Sequence, residues 1–407
     1  MSKLIVFSHL RWNFVFQRPQ HLLSRLARHY PVTFIEEPIR AEGPARLERT
    51  QPMPGVEVIR PQTAVAVPGF HDDQLSVLQG LLSQHFAAEP AEDRVAWFYT
   101  PMALPLLAAA EPAAVVYDCM DELSAFKDAP RQMRQRESAL LKRAQLVLTG
   151  GPSLYDAKRM LHRNVRCLPS AVDAAHYSAQ AASAKTELVQ RAEMLQGHIA
   201  GPRLGYFGVI DERLDLDLIA AVADAQPDWN IVMVGPVVKV DTARLPRRAN
   251  IHWLGQQPYE VLPQLVAGWD VCMMPFALNE STRFISPTKT LEYMAAGKPV
   301  VSTGIHDVRT MFSDVVVIVG DHGAFIAACQ AALRESPRAA AARQVRMQSA
   351  VRRYSWDETA EAIHRAIEEV LITAAASTPS ADLASMVPSA AAARSLATPE
   401  LKQAHRA

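Results

Sequence analysis

The stretch that decides the fold is Val271–Thr303, with the sequence VCMMPFALNESTRFISPTKTLEYMAAGKPVVST. Its apolar run over Val271–Phe276 predicts a buried strand, and the polar residues 277–286 predict a loop. Apolar residues at helical spacing over Pro287–Ala296 predict a short helix, and Val300–Ser302 predicts the next strand. A strand, a loop, a helix and another strand form the repeating unit of a parallel α/β sheet.

The same alternation extends through the chain on both sides of this stretch. Short apolar runs recur with helical patterns between them, which predicts parallel sheets covered by helices on both faces. The predicted strands are Leu4–Ser8, Val32–Glu36, Val56–Ile59, Val95–Tyr99, Val115–Asp118, Leu146–Thr149, Val165–Leu168, Leu204–Gly208, Ile231–Gly235, Ile251–Gly255, Val271–Phe276, Val300–Ser302 and Val315–Val319.

Two α/β domains are expected, because 407 residues exceed the size of one ordinary core. We predict two Rossmann-like, doubly wound parallel-sheet domains whose strand ends face a central cleft. A polar, Ala-rich segment separates them, and a tail rich in Ala, Ser and Pro follows a long amphipathic helix. The predicted units are an N-terminal domain over 1–180, a helical linker over 181–200, a C-terminal domain over 201–350, a helix over 351–373 and a disordered tail over 374–407.

The bulk composition is that of a water-soluble enzyme. Apolar residues make up 49% and charged residues 21%, and the formal net charge is zero, so nothing draws the whole molecule to nucleic acid. The four cysteines form no C-x-x-C pair, which argues against a metal site or a disulfide framework. The first residues lack the zones of a signal peptide, and no apolar run is long enough to cross a membrane, so we expect a cytoplasmic protein.

The helix that begins near Pro287 is the candidate binding site for a diphosphate. Ser286 is a typical N-cap, and proline is tolerated at the first helical position. Lys289 lies in the first turn, where the helix dipole disfavours a cation, so a bound anion would explain it. The N–H groups of Thr288 and Lys289, the Ser286 hydroxyl and the ammonium could hold the phosphates, and Glu292 could accept ribose hydroxyls. An ordinary surface pair between Lys289 and Glu292 is the alternative.

Resemblance favours the diphosphate site. The run SPTKTLEYMAAGKPVV resembles the donor signature of GT-B fold glycosyltransferases, especially family 4. It is also similar to the xanthan-pathway glucuronosyltransferase. The resemblance implies that Lys289 meets the phosphates and that Glu292 contacts the nucleotide ribose. Family 4 enzymes usually carry a second glutamate eight positions earlier, where this chain has Phe284.

Two further segments resemble the donor domain of these enzymes. GYFGVIDERLD, from Gly205 to Asp215, resembles its opening strand and loop, which implies that Gly208 and Arg213 lie against the diphosphate. Solvated helix-start charges are the alternative for Arg213. IHWLGQQPY, from Ile251 to Tyr259, resembles the wall of the base pocket, which implies contacts from Gly255, Gln256 and Tyr259.

The acceptor side is predicted in the first domain. The loop after the first strand resembles the F-x-x-R-P-Q-H-L opening of a bacterial cell-surface glycosyltransferase group. Arg18 and Gln20 could position acceptor or donor groups, and Trp12 could stack on a sugar. A capped helix start is the alternative.

A catalytic base is predicted at the end of the strand Val115–Asp118. Proton transfer from the acceptor hydroxyl needs a carboxylate at a cleft-facing strand end. Asp121 is the first candidate and Asp118 the second, with a loop anchor as the alternative role. In a retaining reaction the donor phosphate would help to accept the proton, and Asp121 would position the hydroxyl.

The resulting hypothesis is a hexosyltransferase of cell-envelope or exopolysaccharide synthesis. It would use a UDP- or GDP-sugar and a carbohydrate or lipid-linked acceptor, with no cofactor and no metal ion. A basic stretch over 131–143 suggests peripheral contact with the inner membrane, although a solvated helix face explains it as well. The alternatives are a sugar-nucleotide epimerase or hydrolase of the same fold, and a binding protein without catalysis. A dehydrogenase is disfavoured because no G-x-G-x-x-G follows a first strand.

Overall fold

Two parallel sheets organise the chain in a computed structural model, which describes residues 2–87, 94–184 and 186–377. The first sheet has the strand order β3-β5-β2-β1-β6-β7-β8-β9, with β4 paired to β5. Its strands are β1 Lys3–Ser8, β2 Val32–Glu36, β3 Ile39–Arg40, β4 Arg46–Met53, β5 Val56–Thr63, β6 Arg94–Phe98, β7 Ala114–Cys119, β8 Leu146–Thr149 and β9 Val165–Cys167. Its helices are α1 Arg18–Leu26, α2 Asp72–Phe86, α3 Leu107–Ala110, α4 Met133–Arg143 and α5 Pro152–Lys158.

The central strands of this sheet are buried on both faces. In β1, the residues from Leu4 to Phe7 have no exposed surface. Alternate residues of β1 belong to two separate clusters: Leu4 and Val6 pack on one face, and Ile5 and Phe7 on the other. Helices therefore cover both faces, which explains the continuous apolar runs in the sequence.

Two strands of the first sheet, the two-residue β3 and the longer β4, have no apolar run in the sequence. β4, with the sequence RLERTQPM, pairs antiparallel with β5 and is largely exposed. It lies at the margin of the sheet, where charged side chains are tolerated and discourage pairing with other chains. Sequence patterning misses such a strand because little of it enters the core.

The second sheet is wholly parallel, with the strand order β12-β11-β10-β13-β14-β15. The two doubly wound domains of the sequence prediction are confirmed. The strands are β10 Arg203–Phe207, β11 Asn230–Val234, β12 Ile251–Trp253, β13 Val271–Met274, β14 Val300–Thr303 and β15 Val317–Val319. The helices in this part of the chain are α6 Ala179–Ala184, α7 Thr186–Gln196, α8 Leu216–Ala225, α9 Leu262–Ala267, α10 Lys289–Ala295, α11 His306–Phe312, α12 His322–Leu333, α13 Pro337–Val351 and α14 Trp356–Ser377, of which α14 packs on the first domain.

The segment predicted to be a linker packs on the second domain. Gln196, at the end of α7, donates to the Leu265 carbonyl (2.9 Å) and accepts from the Trp269 indole N–H (3.0 Å). These buried bonds attach α7 to α9. The helical linker is thus part of the second domain's surface layer.

The C-terminal helix α14 returns to the first domain. Trp356, Ile363 and Ile367 are buried in the same cluster as Leu22 of α1 and Trp97 of β6. The chain therefore crosses between the domains twice. The helix continues to Ser377, beyond the predicted start of the tail at residue 374, and the rest of that tail lies outside the described residues.

Candidate functional site

A cavity of about 720 Å³ lies between the two sheets, at the carboxyl ends of their strands. The loops after β1 and β7 line one wall, and the loops after β10, β11 and β12 line the other together with the start of α10. Most of the predicted site residues meet here. Those on its wall are Trp12, Arg18, Asp121, Gly208, Arg213, Gln256, Tyr259, Ser286, Pro287, Thr288, Lys289 and Glu292.

Lys289 enters this cavity over two aromatic rings. Its ammonium lies 5.6 Å from the ring centre of Tyr206 and 6.0 Å from that of Phe276. Burial lowers the pKa of Lys289 to about 8, and the Arg213 guanidinium acts in the same direction. Both cations thus share one small region. Bringing two like charges together costs free energy, which a bound anion would recover.

The backbone of Gly208 makes room for Lys289. Gly208 has a φ of +138°, and a Cβ built on it would lie 2.0 Å from Cε and 2.6 Å from Nζ of Lys289. Any other residue here would displace the lysine. Glycine is required both for the backbone conformation and for the close approach.

The start of α10 differs from the prediction. The helix begins at Lys289 and has seven residues, and Thr288 precedes it without a side-chain cap. Ser286 is therefore not the N-cap, and Pro287 lies before the helix. The chain enters through a tighter turn, in which the N–H of Thr290 bonds to the Pro287 carbonyl (3.2 Å). The Ser286 hydroxyl instead lies 3.9 Å from the Met311 sulfur.

Glu292 lies one turn further into α10 and is 7% exposed. Its carboxylate accepts a hydrogen bond from the Tyr177 hydroxyl (3.2 Å). Burial raises the pKa of Glu292 to about 7, against the opposing charge of Lys289. Tyr177 was not among the predicted site residues. It follows β9 by ten positions, and nothing local in the sequence ties it to α10.

Arg213 is held in a fixed position by the first loop of the second domain. Its guanidinium makes a bidentate ion pair with Asp211 (2.7–3.1 Å) and covers the ring of Phe126 at 5.5 Å. Phe126 belongs to the first domain, so Arg213 also bridges the cleft. Asp211 orients the guanidinium and is a residue that the sequence analysis missed.

Of the residues predicted to bind the base, Gln256 and Tyr259 line the cavity and Gly255 does not. Gly255 adopts a φ of +65°, and its carbonyl accepts the N–H of Gly235 (2.8 Å). Gln256 lies on the wall, and its amide donates to the carbonyl of Phe14 in the first domain.

Tyr259 is enclosed by other rings. His176 stacks on it with 4.1 Å between ring centres, and Phe16 stacks at 4.7 Å. Its ring plane lies within 22° of both neighbours. Tyr259 therefore belongs to a stacked column at the domain junction.

Asp121 is half-buried and faces the cavity beyond the end of β7. Burial raises the pKa of Asp121 to about 6. Arg213 and Lys289 act against this rise, and Asp211 adds to it. A carboxylate of this kind is mostly ionised at neutral pH and can accept a proton.

Asp118 is placed quite differently from Asp121, because its carboxylate lies in an internal ion pair and not on the cavity wall. Its side chain is fully buried and receives three hydrogen bonds from Arg18 (3.0–3.2 Å). Arg18 also donates to the Leu168 carbonyl (2.8 Å). The Arg18 guanidinium and the Asp118 carboxylate therefore neutralise each other inside the protein. Arg18 lines the cavity wall but is only 1% exposed. Its guanidinium is already bonded within the protein, so any contact with a substrate would be made by a group that also holds Asp118.

Trp12 and Gln20 shape the loop after β1. Trp12 is 8% exposed, and its ring meets Phe34 edge-on at 5.2 Å. Gln20 donates to the Trp12 carbonyl (2.7 Å) and accepts from the Gln17 N–H (3.1 Å). Both side chains anchor the loop to the core through these internal contacts. Sugar stacking by Trp12 and substrate contact by Gln20 stay predictions.

Two kinds of feature are absent from the described residues. No three His, Cys, Asp or Glu side chains are grouped there as a metal site. Within the same ranges, no helix combines the length and the apolar composition needed to cross a bilayer.

Comparison with known proteins agrees with this architecture. Residues 201–335 match the model of the family described as glycosyl transferases group 1. The putative teichuronic acid biosynthesis glycosyltransferase TuaH of Bacillus subtilis (strain 168) is 28% identical over 274 residues, which cover 64% of this chain and 68% of that protein.

Solved structures share the whole fold. Sucrose-phosphate synthase from Thermosynechococcus elongatus superposes with a TM-score of 0.71 at 15% identity, covering 92% of this chain and 100% of that one. Anabaena Alr3699/HepE, solved in complex with UDP and glucose, has a TM-score of 0.67 at 15% identity, covering 91% and 100%. The chain is a glycosyltransferase of the GT-B fold with a group 1 glycosyl transferase domain in its second half. The similarity to the xanthan-pathway enzyme stays a prediction.

Proposed function

We propose that this GT-B glycosyltransferase transfers a hexosyl group from a UDP- or GDP-sugar to a carbohydrate or lipid-linked acceptor in cell-envelope polysaccharide synthesis. One observation carries the proposal: Lys289 lies against Gly208 on the cavity wall, the Arg213 charge acts on Lys289, and Glu292 follows one helical turn away. The name of the Bacillus relative supports the polysaccharide context.

The charged side chains of Lys289, Arg213 and Glu292 orient the donor in this proposal. The diphosphate is placed between the Lys289 ammonium and the Arg213 guanidinium, where two cations already lie close together in a partly desolvated site. Glu292 accepts hydrogen bonds from the ribose hydroxyls. The nucleobase is then directed toward the cavity wall at Gln256, and the sugar toward Asp121.

The chemistry follows from these positions. The acceptor oxygen forms a bond to the anomeric carbon while the bond from that carbon to the diphosphate oxygen breaks, and the nucleoside diphosphate departs. Lys289 and Arg213 stabilise the charge that grows on the leaving group, without a metal ion or other cofactor. In an inverting reaction Asp121 takes the hydroxyl proton. In a retaining reaction a phosphate oxygen takes it and Asp121 holds the hydroxyl in place.

The first domain, which holds the proposed acceptor site, also carries a surface that suits contact with an anionic membrane. We therefore place the enzyme in the cytoplasm, in peripheral contact with the inner membrane. Arg134 and Lys142 of α4 are exposed beside Leu161, which is 62% exposed, and Met160 is 83% exposed. Cations around protruding apolar side chains suit a leaflet that carries a lipid-linked acceptor. Sedimentation with anionic vesicles should be lost in the double variant Met160→Ser/Leu161→Ser; unchanged sedimentation of that variant would refute this placement.

Nucleotide binding tests the main proposal. A thermal-shift screen of nucleoside diphosphates and their sugars should show a raised melting temperature for UDP or GDP, because a ligand that binds only the native state stabilises it. Lys289→Ala should weaken binding about 10- to 150-fold, as expected for loss of a charged hydrogen bond. Lys142→Ala, an exposed lysine outside this cavity, is the matched control.

An incubation without acceptor separates the competing functions. Incubation with a UDP-sugar alone should leave the donor unchanged. Conversion of the donor without acceptor would indicate an epimerase or hydrolase. Equal affinity of Lys289→Ala and wild type for every nucleotide would defeat the donor site.

A further inference from the structure

The aromatic column at the domain junction leaves Tyr259 no free face. His176 covers one side at 4.1 Å and Phe16 covers the other at 4.7 Å, with both rings nearly parallel to Tyr259. A base cannot stack on a ring that is already enclosed in this way. The ring that ends the column at the cavity is Phe16, from the first domain.

Phe16 and its neighbour Phe14 are unusually open for aromatic residues in a cleft. Phe16 is 41% exposed and Phe14 is 39% exposed, and both lie on the cavity wall. Leaving two such rings in water costs hydrophobic free energy in proportion to their exposed apolar surface. A planar apolar ligand would recover that free energy.

The loop that carries these rings is anchored at several points. Gln256 donates to the Phe14 carbonyl across the cleft, and the Trp12 N–H donates to the Glu36 carboxylate (2.8 Å). The edge of Phe16 meets His21 of α1 at 4.6 Å. The exposed rings are therefore held in place by the same loop contacts that bury Trp12.

The polar end of the site gives the direction of the ligand. Lys289 and Arg213 mark the phosphates, and Glu292 marks the ribose. From Glu292, contacts lead through the Tyr177 hydroxyl (3.2 Å) and the Tyr259 ring (6.1 Å from the Tyr177 ring) to Phe16 (4.7 Å from the Tyr259 ring). Glu292, Gln256 and Phe16 line the same cavity. A nucleobase attached to that ribose therefore reaches the open aromatic rings.

We infer that Phe16, with Phe14 beside it, is the stacking surface for the nucleobase of the donor. The inference rests on the proposed function and adds that the first domain takes part in nucleotide binding. Stacking accepts any base, because every base has a π-face, so this contact supplies affinity and leaves base selection to polar groups. A nucleotide held between Phe16 and Lys289 would also draw the two domains together.

Calorimetry with two ligands tests this role. Phe16→Leu keeps an apolar side chain against Tyr259 but removes the π-face. UDP affinity should fall about 5- to 150-fold, the range for loss of one base–aromatic stack. Pyrophosphate, which has no base, should bind the variant as it binds wild type. Phe16→Tyr should restore UDP binding, and Val345→Ala, at an exposed apolar residue of α13, is the control for lost surface hydrophobicity.

The possible outcomes are distinct. Unchanged UDP affinity in both Phe16→Leu and Phe14→Leu overturns the inference. It is overturned equally if UDP and pyrophosphate weaken together, since the damage then lies at the phosphates, or if Phe16→Tyr fails to restore binding. Absence of UDP and GDP binding in the wild type would instead defeat the proposed function itself.

Discussion

Replacement of Gly208 by alanine tests how the donor site is built. The added Cβ would lie 2.0 Å from Cε of Lys289, where ordinary contact begins at 3.4 Å, so the lysine must retreat by about 1.4 Å. A charge-assisted hydrogen bond to a phosphate does not survive such a shift. Its loss costs roughly 1.5–3 kcal/mol. The dissociation constant for UDP or GDP should therefore rise about 10- to 150-fold.

The matched control for Gly208→Ala is Gly43→Ala. Gly43 also has a positive φ, of +86°, but no atom lies within 4 Å of the position that its Cβ would occupy. Both variants carry backbone strain of about 1–3 kcal/mol, which lowers the melting temperature. Titration calorimetry at one temperature, below both melting transitions, separates this strain from binding. If Gly208→Ala binds the nucleotide as tightly as Gly43→Ala while Lys289→Ala binds weakly, the close approach of lysine and glycine is irrelevant and the reasoning fails.

Three further predictions concern the carboxylates of Asp118, Asp121 and Glu292. Asp118→Asn should destabilise the fold by about 3–5 kcal/mol in urea denaturation, because it leaves Arg18 buried without its partner; a loss below about 1 kcal/mol would contradict the structural role. Asp121→Asn should reduce turnover about 100-fold or more at unchanged nucleotide affinity, and wild-type turnover should decline as the pH falls through about 6, where Asp121 gains its proton; a flat profile would remove it as the base. Glu292→Gln should weaken nucleotide binding but stabilise the free protein at pH 8 by on the order of 3 kcal/mol, since burial raises the pKa of Glu292 from 4.5 to about 7. That gain should grow between about pH 4.5 and 7 and vanish at lower pH, where folded and unfolded states are both protonated; melting curves that show an equal gain at pH 4 and pH 8 would argue against it.

The local pattern of apolar and polar residues was sufficient to predict the two-domain α/β architecture. The central strands of both sheets are continuous apolar runs because helices cover both of their faces, and such a run is visible within a single segment of sequence. The spacing of Lys289 and Glu292 was equally legible, since three residues along a helix place two side chains on one face. The polar strand β4 escaped notice because its side chains stay in solvent.

The roles within the site depended on tertiary structure. Asp118 and Asp121 lie three residues apart and look alike in sequence, yet one is sealed in an ion pair with Arg18 and the other faces the cavity. Arg18 is 100 positions from its partner, and Phe16 is more than 240 from the Tyr259 ring that it covers. Contacts over such distances are created by the packing of two domains. The sequence by itself determined which chemical groups this protein possesses, and the fold decided which of them reach a substrate, because burial and partner charges are properties of three-dimensional neighbours.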